Sequence, residues 1–136
     1  MTNSFYDKGS EERGKGNIDW VNADIRCVLV DLADYAFNAA HESLEDIPAA
    51  ARVAISPVIS GKTVVGSYYS SDPFTFPGVT GDQFEAYVFY LNTGVESTST
   101  LITFHDTATN LPATPNGEAI TIQPFPGPPA HHFQSR

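Results

Sequence analysis

The sequence contains a single cysteine, Cys27, among its 136 residues. One thiol closes no internal disulfide and builds no cysteine-based zinc site, so the fold must stand on its core alone, in a reducing compartment or elsewhere. Cys27 sits in the apolar run Ile25–Val30 and reads as a small buried hydrophobe rather than a nucleophile. No apolar run approaches the ~20 residues of a membrane span. Met1–Gly16 is polar and mixed in charge, without the apolar stretch of a secretory signal. From Thr63 to Ser135 there is no Lys or Arg, while the same stretch carries Asp72, Asp82, Glu85, Glu96, Asp106 and Glu118. Nucleic-acid binding needs cations that displace phosphate counterions, and anionic membranes make a similar demand. Neither is an expected partner. Phosphate-binding loops are also missing: no G-x-x-x-x-G-K-[ST] and no G-x-G-x-x-G occurs, and Gly14-Lys15-Gly16 is too short and follows no strand. There is no internal repeat and no long amphipathic helix to serve as a βαβ crossover, which argues against a parallel sheet.

What is present is enough for one domain. Hydrophobic residues make up 41% of the chain, and a domain near this size buries roughly two-thirds of the surface its unfolded chain exposes. The net charge of −9 favours a neutral or basic partner, most simply a protein. Residues 3–15 suggest a short helix capped by Asn3 or Ser4, weakened by Gly9, Gly14 and Gly16. Residues 24–31 form the first clear strand, apolar on nearly both sides, with Tyr35 and Phe37 continuing it after a bend. His41–Pro48 suggests one helical turn with Ser43 and Asp46 at its cap. Strands follow at 52–59, where Pro57 marks an edge or bulge, at 61–70, and at 72–76 with Phe74 and Phe76 on one face. The strongest strand is QFEAYVFYL, 83–91. It reads as a hairpin with 99–105 across the Asn92-Thr93-Gly94 turn. A long loop, 106–117, leads to a last strand at 118–123.

Short, evenly spaced strands between turn signals indicate an all-β fold: an antiparallel β-sandwich or small barrel, with a short N-terminal helix and extended terminal arms. The expected division is an N-terminal arm at 1–23, the β-sandwich at 24–123, and a Pro-rich C-terminal arm at 124–136. PFPGPPAHHFQSR suits an extended, polyproline-like path with Phe125 and Phe133 as apolar anchors. Both arms are expected to be tied down by neighbouring chains.

Chemistry-bearing residues do not converge in the sequence. His131 and His132 are adjacent, with His41 and His105 distant, so no metal site is expected. His105-Asp106 lacks a nucleophile signal. Glu42, Glu45 and Asp46 have the spacing of a solvated helical turn rather than of a glycosidase pair. No enzyme activity and no cofactor are expected. The aromatics are different. Tyr68, Tyr69, Phe74, Phe76, Phe84, Tyr87, Phe89 and Tyr90 crowd one region, and in 87–90 both strand faces are aromatic, which suggests that a partner chain covers one of them. Candidate interface residues are Phe5, Tyr6, Trp20, Tyr87, Phe89, Phe125 and Phe133. A sugar-binding platform is the competing use of such a face.

Several strings carry a resemblance: FYDKG at Phe5–Gly9, GNIDW at Gly16–Trp20, VLVDLADY at Val28–Tyr35, HESLEDIPAAARVA at His41–Ala54, GKTV at Gly61–Val64, LNTG at Leu91–Gly94, and HDTATNLPATPNGEAITIQ at His105–Gln123. Over roughly residues 4–123 the chain resembles small proteins encoded among the structural genes of tailed bacteriophages and prophages, usually read as virion proteins. The resemblance implies a virion context and brings no catalytic or ligand residues. It suggests a capsid decoration (cement) protein, made in the bacterial cytoplasm and placed on the capsid surface. It would bind the major capsid protein and copies of itself as a homo-oligomer, with a trimer the first guess. A tail, connector or fibre-associated protein is the alternative, and a carbohydrate-binding module a further one. Members of this group finish with another strand-like segment after the position of Gln123, where this chain has Pro124–Arg136.

Overall fold

β-Branched and aromatic residues in alternation build the strands, and glycine-containing turns separate them. The computed structural model describes residues 4–106, 111–124 and 131–134. In chain order the elements are β1 (Ser4–Phe5), α1 (Asp7–Gly14), β2 (Ile25–Val30), β3 (Arg52–Ile55), β4 (Thr63–Val65), β5 (Tyr68–Ser70), β6 (Phe74–Phe76), β7 (Ala86–Leu91), β8 (Leu101–His105), β9 (Ile120–Ile122) and β10 (Phe133–Gln134). One-turn 3-10 helices occur at Leu44–Asp46, Ala49–Ala51 and Glu96–Thr98.

The main sheet has the order β1-β8-β7-β2-β3, and every neighbouring pair is antiparallel. A three-stranded sheet, β10-β5-β4, and a two-stranded ladder, β6-β9, lie over one of its faces. The result is an all-β, sandwich-like fold. The sheets keep open edges and do not close into a barrel.

Strand alternation sorts the core into two halves. Ile25, Cys27 and Leu29 of β2 and Tyr87 and Phe89 of β7 point toward the small sheets, where they meet Phe74, Phe76, Ile122, Phe133 and Trp20. Val28 and Val30 of β2, with Ala86, Val88 and Tyr90 of β7, point the other way. That second face is covered by the chain itself: Tyr6, Tyr35, Leu44, Ile47 and Ala51 close over it. The expectation that a partner covers one face of 87–90 is therefore corrected. The long excursion between β2 and β3 supplies the cover.

Other local readings change as well. Tyr35 and Phe37 belong to this covering excursion and not to β2. The expected strand at 61–70 is a hairpin, β4–β5, because Gly66 turns the chain at φ +60°, where an L side chain is strained. The N-terminal helix starts after a short strand, and no side-chain hydrogen bond caps it. The turn at Leu44–Asp46 does carry its cap, with Asp46 Oδ2 accepting from the Glu42 and Ser43 amides at 2.8 and 3.2 Å.

The arms are anchored by their own chain in their described parts. β1 pairs with β8, and β10 pairs with β5 in the register Phe133↔Tyr69 and Gln134↔Tyr68. A strand-like segment thus does follow Gln123, at the far end of the Pro-rich stretch. Phe5 and Phe133 meet edge to face at 5.7 Å, so the two arms also hold each other.

Candidate partner-binding surface

The sequence-derived interface residues fall mostly inside the molecule. Tyr6, Trp20, Tyr87, Phe89 and Phe133 are buried in the chain's own core. Trp20 donates its indole N–H to the Ser70 carbonyl at 2.9 Å and packs edge-on against Tyr69, Phe89 and Phe133. Phe5 is half-buried against Phe133 and beneath the Arg13 guanidinium. The five buried rings complete the fold, and Phe5 keeps part of its surface open. Phe125 lies outside the described residues. Among the described residues no aromatic side chain is fully exposed. The physical reason is economy of cover: small sheets and loops must bury a large aromatic content, and the arms do it.

The exposed apolar surface lies elsewhere. Among the described residues the exposed large hydrophobics are Val21, Ile55, Val58, Val64, Val65 and Val95, and Val64 and Val65 form a short apolar ridge on β4, with Val65 exposed to 61%. All three residues of β4 are exposed, and β4 is the outer strand of its sheet. Its free side offers unpaired backbone groups of the kind that another strand can join. β3 is an outer strand of the main sheet. Composition did not reveal this ridge. The usable signal was the adjacent pair Val64-Val65, which places one valine on each face of a strand beside a turn glycine.

Charge on this body is one-sided. Lys8 and Lys15 pair with Glu11 and Glu12 on α1, Arg26 with Asp24, and Arg52 with Glu96. Lys62 is buried and donates its Nζ to the Ala23 carbonyl. Burial lowers its pKa, against the pull of Asp24 and Asp19. Arg13 lies 5.1 Å over Phe5 and 5.3 Å over Tyr69. Each described cation is thus engaged within the chain, while carboxylates including Asp34, Glu42, Glu45, Asp82 and Glu118 remain on the surface.

Two polar groupings could do chemistry. In the first, the Tyr6 hydroxyl meets the Tyr35 hydroxyl at 2.9 Å, which meets His41 Nδ1 at 2.8 Å. This chain ends in a shallow depression lined by Asp34, Tyr35, Phe37, Asn38, His41 and Asp46. Burial raises the pKa of both tyrosines, so the hydroxyls remain protonated and act as hydrogen-bonding groups. In the second, Asp31, Asp34 and Asp82 bring three carboxylate oxygens within 4.8 Å. Oxygen donors suit a hard cation such as Ca²⁺, which takes about six to eight of them. Asp31 is buried, and its Oδ1 already accepts from the Ala33 amide at 2.9 Å.

His105 and His132 are buried beside each other's aromatic neighbours, far from both groupings in sequence and in contact with the core ring Phe89. Cys27 is fully buried, and burial pushes its thiol well above the ordinary range. No protein-family model matches the chain, and no curated protein matches it.

Proposed function

We propose that this chain is a virion structural protein of a tailed phage: a capsid decoration (cement) protein that binds the outer surface of the major capsid protein shell. The observation that supports this reading is the exposed apolar pair Val64-Val65 on the outer strand β4, on a body whose described cations are already engaged. Such a surface suits a protein partner with neutral or basic patches. Apolar contact supplies affinity, and the acidic surround steers encounter. On the shell the chain would sit as a homo-oligomer, with a trimer as the starting expectation.

The test is reconstitution. Purified chain is mixed with shells that lack it, the shells are sedimented, and bound copies are counted. Hundreds of copies per shell are expected. Val65→Asp should reduce binding at least tenfold while leaving the folded far-ultraviolet spectrum unchanged, because Val65 is exposed. About 6 or 12 copies per particle, or density for the chain at the tail, would replace this reading with a tail or connector role.

A further inference from the structure

We propose that His105 and His132 form an acid-sensitive latch: both rings must be neutral for the C-terminal strand β10 to stay docked, and their protonation releases it. The inference is independent of the virion reading.

The argument begins with position. β10 is a two-residue strand at the edge of the β10-β5-β4 sheet. Gln134 pairs with Tyr68 and donates to Ser67 Oγ at 3.2 Å at the exposed end, and His132 and Phe133 make the buried part of the strand's attachment. The His132 amide donates to the Tyr69 carbonyl at 2.7 Å, and His132 Nε2 meets Ser71 Oγ at 2.7 Å. The His132 ring lies against Phe89 at 4.8 Å and Phe74 at 5.8 Å. Phe133 stacks on Tyr69 at 4.7 Å and touches Trp20 at 5.2 Å. On the facing strand β8, His105 stacks on Tyr87 at 5.0 Å, meets Phe89 edge-on at 5.2 Å, and reaches Phe133 at 6.3 Å. Its Nε2 meets Thr103 Oγ1 at 2.9 Å.

Among the described residues neither ring has a hydrogen-bonded or ion-paired carboxylate. His105 is 1% exposed and His132 7%, and each has a buried Nδ1 with no hydrogen-bond partner. A protonated imidazole needs two acceptors, and only one nitrogen of each ring has any partner. The titratable and charged groups around them give no relief. From β7 and β2 come Tyr87 and Cys27, both held neutral by burial. From the same C-terminal segment comes His131, whose ring lies 4.7 Å from Tyr68. From α1 comes Arg13, a fixed cation over Phe5 and Tyr69, the two rings that hold Phe133. Asp106 follows His105 in the chain but bonds to neither ring, and its own Oδ1 is buried without a partner. A proton on either histidine would be a buried charge without a partner among the described residues.

The sign follows from comparing docked and released rings. Burial, with a contribution from His132, pushes docked His105 down to about 3, and burial, with His131, pushes docked His132 down to about 4. A released His132 ring returns to about 6.5, and His105, still on β8 but uncovered on its Phe133 side, moves up toward it. The released state therefore binds more protons. Docking is at full strength above pH 6.5. Below that, His132 weakens it about tenfold per pH unit until its docked value is reached, and His105 adds to the loss.

The single tryptophan, Trp20, reads the latch directly, because release of Phe133 uncovers it. The full chain is titrated from pH 8 to pH 3 while Trp20 emission and the far-ultraviolet spectrum are followed together. The expected result is a red shift of Trp20 between pH 6 and pH 4 that precedes any loss of sheet signal. His105→Phe combined with His132→Phe keeps ring packing and removes the protons, and should hold Trp20 blue to at least one pH unit lower. An unshifted Trp20 at pH 4 overturns the proposal. So does a red shift that coincides with loss of the sheet, or one that is unchanged in the double variant. Should the double variant not fold, the histidine ring signals in NMR of the natural chain decide. Titration of His105 or His132 near 6.5 while Trp20 stays blue overturns the latch, and titration only upon the Trp20 shift supports it.

Discussion

Arg52 sends its guanidinium to two kinds of acceptor. Nε and Nη2 donate to the Ile47 and Leu44 carbonyls at 2.8 and 2.9 Å, fastening the turn that covers the second core half, and the outer edge of the fork pairs with Glu96 at 2.9 and 3.0 Å. Arg52 is mostly buried and Glu96 exposed. Glu96→Gln should therefore change stability little, because solvent screens the pair at its exposed carboxylate. Arg52→Met leaves two carbonyls without their charged donor and should cost about 1.5–3 kcal/mol. Urea unfolding of the two variants distinguishes the contributions. Cys27 gives a second residue-level expectation. Its buried thiol should be silent to a thiol reagent in the folded chain at pH 8 and react stoichiometrically in denaturant.

At the level of elements, helix α1 is positioned by Gly9. A Cβ there would stand 2.2 Å from the Leu101 carbonyl oxygen of β8 and 2.9 Å from the Ile102 Cα, both backbone atoms that cannot swing away. Gly9→Ala should destabilise by about 1–3 kcal/mol despite the better helix propensity of alanine. Gly14→Ala, with open space around the new atom, should be neutral or stabilising by up to about 1 kcal/mol. Thermal melts of the two variants make the comparison. β2, β7 and β8 were legible in the sequence because long β-branched and aromatic runs have few alternatives to a central strand. The 44–46 turn was legible because Ser43 and Asp46 have a capping spacing. β4 and β5 were not separated, since the residues flanking Gly66 are good strand formers on both sides and only the backbone angle reveals the turn. The cover over the second core half was illegible for a different reason: Tyr35, Leu44, Ile47 and Ala51 show no period, and only folding brings them over Val88 and Tyr90. The same cause misplaced the interface. Aromatics were read as surface anchors because the loops that bury them carry no regular pattern, whereas the exposed ridge consists of ordinary valines.

Across the whole molecule, ion pairs engage Lys8, Lys15, Arg26 and Arg52, a carbonyl holds Lys62 and aromatic rings hold Arg13, which leaves a net acidic body around an apolar ridge. The two features predict separable behaviour toward a shell. Raising NaCl from about 0.05 to 0.5 M shrinks the Debye length to a few ångströms, so association should slow while the apolar contact persists. Val65→Asp should instead speed dissociation at every salt concentration. Surface-plasmon measurements on immobilised shells would resolve the two rates.

The meeting of Phe5 with Phe133 has a use in protein engineering. Because the first and last described strands touch, a short peptide joining Gln134 to Ser4 would close the backbone into a ring, and new ends could be opened at Gly66, on the exposed hairpin. A permutant of that design would carry any fused cargo beside Val64 and Val65, where it would block the proposed contact.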